Sequence, residues 1–426
     1  MDRPHTTASI YSRFIAQQRA AGQLIVQPRM GFGTLEAMRD GLLRVKQLDT
    51  ASVGTITLDS YTRVGDFDTP RTCLLQQEKL NGFPIVTHDL AECQAMLDGV
   101  LDGNFPVQVR HGTAEPQAIF KRLAELGLDA TEGGPVSYCL PYSGTALKQA
   151  IAAWDEACAI LAEKLTFPHI ESFGGCMLGQ LCPPSLLICL TLLECLYFIQ
   201  RGIPSVSLSY AQGTSDAQDT AAIAVIHHYA ERLLGAADWH IVMYTYMGVY
   251  PASTSGALAL VADSAALAKR SGCHRLIVKT RAESRQIATI EENLEALSLA
   301  HQAASRQCYQ PQLSSLEADY YQTIHAEVGQ LLEAVLNLNT DIGRALRQAF
   351  RRGLLDVPYC LHADNAGLSR SYIDANGALQ WSTLGKLPIQ RHPNYRSATQ
   401  PVVDSNHLLV MLYYKSSLYD EPIAHG

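Results

Sequence analysis

"FPVQVRHGTAEPQAIFKRLAEL" (105–126) decides how this chain is read. Val107, Gln108 and Val109 head into a core as a strand, and Gly112 breaks the run. Ile119, Phe120 and Leu123 then recur at helical spacing, so the stretch predicts a strand over 105–110 and a helix over 115–126. The strand ends awkwardly, on Arg110 and His111. Two basic side chains at the edge of a core need acidic partners from the chain or an anion from outside.

Outward from this unit, the same alternation repeats. Strands are predicted at 24–29 "LIVQPR", 53–61 "VGTITLDSY", 105–110, 135–141 "PVSYCLP", 168–173 "PHIESF", 205–210 "SVSLSY", 239–246 "WHIVMYTY" and 275–280 "RLIVKT". Amphipathic helices are predicted between most of them, at 115–126, 145–165, 184–201, 215–235, 256–271 and 288–306. Strand-then-helix alternation implies parallel strands with crossover helices, and eight such units close a barrel. The run "FPIVT" (83–87) is assigned to the connection after the second strand. The fold class expected is therefore α/β: a (β/α)8 TIM barrel over 24–309, a short N-terminal arm over 1–23, and a mixed C-terminal extension over 310–426 packed on the barrel. In the extension, helices are predicted at 314–334 and 338–353, followed by a Gly/Asn-rich irregular stretch and an apolar strand, "HLLVMLYY" (407–414).

Composition bounds the function. With 47% hydrophobic and 17% charged residues, the 426-residue chain has the balance of a soluble globular protein with a large interior. A net charge of -8 without a basic stripe argues against nucleic acid as a partner. The richest apolar run, "LLICLTLLECLYFI" (186–199), is interrupted by Glu194 and reads as a buried helix, which argues against a membrane partner. The opening "MDRPHTTASIYSRFIAQQ" lacks the apolar core of a signal peptide, and the eleven cysteines form no CxxC pair. Most sit in apolar segments, the usage of reduced thiols in cytoplasm, and no metal site is expected, Cys176 and Cys182 included.

Polar residues cluster by position. Arg29 ends the first predicted strand, Arg63 the second, and Arg110 with His111 the third. Glu132 stands just before the fourth, which carries Tyr138 and leads to Tyr142; the seventh ends in a Tyr-rich run, Tyr244, Tyr246 and Tyr250, and Lys279 ends the eighth. In a barrel these ends converge on one mouth. Three guanidiniums about 6 Å apart repel by roughly 3 kcal/mol per pair at an effective dielectric near 20. Pairing with local acids is the plain alternative, and Arg63 has Asp59 and Asp66 nearby in sequence. A ligand with two carboxylates also reverses the sign, since guanidinium grips carboxylate through paired hydrogen bonds. Glu132 then suits the ligand's ammonium, and the ligand reads as a small amino dicarboxylate.

"QPRMG" (27–31), "SYTR" (60–63), "LNGFP" (80–84), "VRHGT" (109–113), "EGGPVSYCLPY" (132–142), "MGVYP" (247–251), "IVKTRAE" (277–283) and "VPYCLHADNAG" (357–367) occur in this order. Together they resemble the catalytic large (epsilon-type) subunit of adenosylcobalamin-dependent glutamate mutase, also called methylaspartate mutase. The resemblance implies a TIM-barrel isomerase interconverting L-glutamate and threo-3-methyl-L-aspartate. The family's adenosyl radical takes a hydrogen atom from substrate, which fragments to a glycyl radical and acrylate and recombines. It implies that Arg29, Arg63, Arg110 and His111 hold the substrate carboxylates, that Glu132 takes the amino group and assists catalysis, and that Tyr138 and Tyr142 complete the pocket. Gly31, Asn81, Pro141, Tyr250, Lys279, Glu283 and Ile287 fall where the family contacts adenosylcobalamin, with Lys279 and Glu283 on the adenosyl ribose.

The resemblance also implies a partner. The family's cobalamin module carries D-x-H-x-x-G, and this chain does not; its nearest string, "DWHIVM" (238–243), lacks the glycine and lies in a predicted strand. A small cobalamin-binding subunit is therefore expected in trans, sharing the cofactor within a heterotetramer built on a homodimer of this chain. Departures from the family pattern include Tyr250 in "YTYMGVYP" (244–251), Cys139 after Tyr138, and "HADNAGL" (362–368) without lysines. Two alternatives remain open: the same barrel acting on a different acidic amino acid or dicarboxylate, and a non-catalytic homologue that binds an acidic ligand.

Overall fold

In the computed structural model, which describes residues 9–282, 287–390 and 404–420, eight short strands run parallel. They are β1 (Ile25–Pro28), β2 (Gly54–Thr57), β3 (Val107–Arg110), β4 (Ala130–Gly133), β5 (His169–Ser172), β6 (Ser205–Ala211), β7 (Asp238–Tyr244) and β8 (Arg275–Val278). Each pairs with its neighbours in chain order, and β8 returns to β1 with Ile25 opposite Arg275. The ring closes between β1 and β2 through the parallel bridge of Val26 with Ser52 and the bonds Val26 N to Ala51 O (2.9 Å) and Val53 N to Val26 O (3.2 Å). This is the expected TIM barrel. The 83–87 run stays a connection, touching the sheet through one bridge from Phe83 to Leu58.

Alternate side chains of each strand face outward onto the helices, where Val26, Ile56, Val109, Ile170 and Val206 join one continuous apolar core. The inward layer is polar instead. Gln27 Nε2 donates to Thr55 Oγ1 (2.9 Å) and Gln108 Oε1 (2.7 Å), and Gln108 Nε2 donates to Glu171 Oε2 (3.2 Å). Arg275 crosses the bore to hydrogen-bond Gln27, Glu171 and His240. Buried polar groups are tolerable only when mutually satisfied, and this layer is. Helix Ile10–Ala20, from the expected arm, plugs the amino-terminal end: Tyr11 lies 4.6 Å from His169, and Phe14 and Ile15 pack on Ile25 and Val53.

Beyond the barrel, helix Ser315–Leu336 packs on helices Asp216–Leu233 and Pro184–Gln200, joining the same apolar core through Val328 and Leu331.

The structure corrects the sequence reading in three places. The fourth strand is Ala130–Gly133 and not 135–141, so Glu132 lies on the strand. Gly133 takes φ +128 and Pro135 lacks a backbone donor, so the apolar run after them cannot continue a ladder. It folds into turns held by Glu194, whose carboxylate accepts from Val136 N, Ser137 N and Ser137 Oγ. Arg63 ends the short helix Ser60–Arg63, not a strand, because Asp59 caps Tyr61 N and Thr62 N. The run 407–414 belongs to helix Ser405–Asp420; an unbroken apolar run carries no period that separates strand from helix. The stretch read as irregular also contains a hairpin, β9 (Arg370–Ile373) with β10 (Leu379–Thr383), turned at Asn376-Gly377.

Candidate active site

Arg29, directly after β1, Arg63, Arg110, His111, Glu132, Tyr138 and Tyr142 surround one cavity of about 120 Å³ at the carboxyl ends of the strands. Thr57, Gly112, Phe173 and Met247 complete its lining. The volume suits a small molecule rather than a drug-sized one.

Counter-charge is partly the protein's own. Arg110 Nε donates to Glu132 Oε2 at 2.7 Å, with the two side chains only 6% and 2% exposed. Burial pulls the Arg110 guanidinium toward neutrality, but Glu132, Tyr244 and Tyr138 hold its pKa well above the ordinary value. Arg63 behaves otherwise. Its Nε and Nη2 donate to the Leu58 carbonyl (3.0 and 2.7 Å), while Asp59 caps helix Ser60–Arg63 and Asp66 accepts from Asp68 N, Thr69 N and Thr69 Oγ1. Burial, then the like charges of Arg29 and Arg110, lower the Arg63 pKa. A buried cation beside two others is a site that gains from an arriving anion.

His111 is not the second cation that the sequence suggests. Burial first, then Arg63, depress its pKa to about 3, so the ring is neutral at physiological pH. Phe120, Tyr138 and Trp154 enclose it, and Nδ1 accepts from Thr113 N at 3.2 Å, which leaves the proton on Nε2. That Nε2, Arg110 Nη1 and Thr57 Oγ1 are buried atoms without a hydrogen-bond partner, and all three belong to residues lining the cavity.

Glu132 is held from three sides. Besides Arg110, Tyr138 OH donates to its Oε1, and the Tyr244 hydroxyl lies 2.8 Å from its Oε2. Tyr244 OH also contacts Glu171 Oε1 below. Thr57, Phe173, Met247 and Glu171 escaped the sequence reading. Thr57 and Glu171 sit mid-strand in quoted runs, where nothing local separates a cavity side chain from a core one.

A family model described as methylaspartate mutase E chain (MutE) matches residues 6–399. The chain belongs to this family. Glutamate mutase epsilon subunits are its relatives: that of Escherichia coli O157:H7 is 29% identical, covering 87% of this chain and 79% of its own. That of Halobacterium salinarum is 30% identical, over 83% and 76% of the two chains. Among solved structures, a sialic acid aldolase of Ruminococcus gnavus covers 75% of this chain and 88% of its own at 11% identity, with a TM-score of 0.31, too low to carry an argument. This member of the E chain family is thus a mutase subunit, an isomerase; its relatives are named as epsilon subunits, and the family is cobalamin-dependent. No helix among the described residues is long and apolar enough to cross a membrane.

Of the residues that the resemblance assigns to the cofactor, the described ones are not among those lining the small cavity. Gly31 and Ile287 line a neighbouring cavity of about 460 Å³ together with Leu80, next to Asn81. The Asn81 side-chain carbonyl accepts from Ser60 N at 2.9 Å. Lys279 is buried with its ammonium 5.1 Å from the Tyr250 ring, and Pro141 precedes Tyr142 on the rim. Glu283 lies outside the described residues. His240 of "DWHIVM" is buried in the bore, stacked on His169 at 5.1 Å, and has no access to the mouth.

Proposed function

We propose that the chain, with a small cobalamin-binding subunit, interconverts L-glutamate and threo-3-methyl-L-aspartate by an adenosylcobalamin-initiated radical route in the cytoplasm. The observation that carries this reading is that Arg110 Nη1, His111 Nε2 and Thr57 Oγ1, buried atoms without a hydrogen-bond partner, all belong to residues lining the cavity that Arg29 and Arg63 also line. A buried polar group left unpaired costs about 1–3 kcal/mol, and ligand oxygens remove that cost. Charge agrees: three arginines and one glutamate line the cavity, so a dicarboxylate guest adds negative charge where positive groups predominate among the lining side chains.

Each residue then has a task. Arg29, Arg63 and Arg110 hold the two carboxylates, fixing both ends of the ligand; neutral His111 donates from Nε2. Glu132 receives the ammonium, held in place by Arg110 and Tyr138. Tyr138, Tyr142 and Phe173 form an aromatic wall, with ring centroids 5.1–6.2 Å apart, that keeps water from a reactive fragment.

The rim suits a large cofactor. A Cβ on Gly31 would lie 2.1 Å from the Thr57 carbonyl oxygen, so the backbone there stays close to the mouth, and the 460 Å³ cavity opens beside it. Gly31, Asn81, Pro141, Tyr250, Lys279, Glu283 and Ile287 would hold adenosylcobalamin against the partner subunit. When bound, it supplies the adenosyl radical that abstracts hydrogen.

The test is calorimetric titration of the chain with L-glutamate and 3-methylaspartate, followed by conversion assays with a cobalamin-binding subunit and adenosylcobalamin. Absence of both binding and conversion would overturn the reading. Binding without conversion or a radical signal in electron paramagnetic resonance would instead mark a non-catalytic binder.

A further inference from the structure

Beneath the cavity, Glu132 heads a line of three oxygens, and the lower two, on Tyr244 and Glu171, have no part in the proposed function. Glu132 Oε2 and the Tyr244 hydroxyl are 2.8 Å apart, and the same hydroxyl is in hydrogen-bond contact with Glu171 Oε1. All three side chains are buried. Each oxygen–oxygen contact needs a proton between its atoms, because two lone pairs facing each other in a dry interior repel. The line therefore needs two protons, and a phenol brings one.

We propose that Glu132 and Glu171 share one additional proton through Tyr244, so that a buried proton store lies directly under the site's acid. The flanking groups fix which oxygens face each other. Arg110 donates to Glu132 Oε2, and Tyr138 donates to Glu132 Oε1. On the lower side, Glu171 Oε2 is engaged by Arg275, Gln108 and Ser207, which leaves Oε1 to face Tyr244. Arg110 Nη2, at 3.4 Å from the Tyr244 oxygen, and its guanidinium, 5.1 Å from the ring, favour a phenol whose own hydrogen points elsewhere. Cys176 is the remaining titratable neighbour of Tyr244. Two guanidiniums, Arg110 and Arg275, flank two carboxyls; with one proton between the carboxyls the assembly carries one net positive charge, matched to an anionic guest above it.

The transfer balances. As the Glu132 O–H bond breaks, that proton passes to the Tyr244 oxygen, and the original phenol proton passes to Glu171 Oε1. Tyr244 is neutral before and after, and no electron leaves the trio. Resting on the reading that an amino dicarboxylate binds here, Arg110 and an arriving ammonium both favour the proton on Glu171, so that Glu132 meets the guest as a carboxylate. Glu171 and Tyr244 are on this view positioning residues that set the charge of Glu132.

The experiment is infrared spectroscopy of the full unliganded chain, with glutamate carboxyls isotopically labelled to mark their carboxylic-acid stretch. Glu194→Gln and Glu327→Gln remove the signals of two other buried glutamates, each with a pKa raised to about 7 by burial. One labelled acid band is expected to remain, and to be lost in both Glu171→Gln and Tyr244→Phe. In Glu171→Gln, Arg275 fixes the amide oxygen toward itself, so the amide NH2 supplies the missing hydrogen to Tyr244 and Glu132 ionises. No residual band in the double control, which needs no change in the trio, overturns the proposal; so does a band that survives both substitutions. Because no ligand is present, a chain that fails to bind glutamate but shows this pattern refutes the function and not the store.

Discussion

Glu132→Ala tests the electrostatics of the mouth most directly. In the wild type, Arg110 is 6% exposed in its side chain and its Nε donates to Glu132 Oε2 at 2.7 Å. The substitution leaves a buried guanidinium with Arg29 and Arg63 still around the cavity, and removes the acceptor of the Tyr138 hydroxyl. Breaking a buried pair from one side costs about 3–5 kcal/mol, far above the 0–1 kcal/mol of a surface pair. Urea unfolding followed by circular dichroism is expected to show a loss in that range. Glu132→Gln, which keeps an acceptor for Arg110, is expected to lose less. Glutarate supplies the missing negative charge without an ammonium, so it should stabilise Glu132→Ala more than the wild type; a ligand at a hundred times its Kd contributes about 2.7 kcal/mol. A loss below about 1 kcal/mol, or equal stabilisation of both proteins by glutarate, would refute the claim that an unbalanced buried cation governs this cavity.

Three further outcomes follow from the same geometry. Arg110→Lys presents a point charge in place of a planar fork, and dicarboxylate affinity measured by calorimetry is expected to drop roughly 10- to 150-fold, or about 1.5–3 kcal/mol. His111 is protonated in the unfolded chain below about 6.5 but in the folded one only near 3, so its contribution is complete above the first value and is lost as pH falls toward the second. His111→Asn should therefore flatten the acid limb of stability against pH by about 1 kcal/mol per unit. Glu194 has the opposite sign: burial raises its pKa to about 7, so its contribution is present below about 4.5 and is lost as pH rises through 7. Glu194→Gln should remove that loss, about 3 kcal/mol across the window, as read by denaturant titration at pH 5 and pH 8.

How much was legible depended on local signal. Strand β3 and its helix were plain in 105–126 because apolar spacing changes period at Gly112. Strand β4 was not, because "ATEG" (130–133) is too short and too polar to show a pattern, and the apolar run behind it drew the assignment. Strand-end position, and then the ordered motifs, brought seven cavity residues together, while Thr57 of the cavity and Glu171 beneath it sit on strands with no local mark. Their direction into the bore is set by barrel tilt and register, which no stretch of four residues encodes.

The sequence by itself determined the alternation of strand and helix, the family, and the gathering of arginines at one mouth, because period and order are written along the chain. Only the tertiary structure decided their charge states. Burial made His111 neutral, and Glu132 was brought against Arg110. Tyr244 came to lie between two carboxyls from β4 and β5. Those outcomes depend on which groups lose water and on distances between strands far apart in sequence, and both exist only once the barrel has closed.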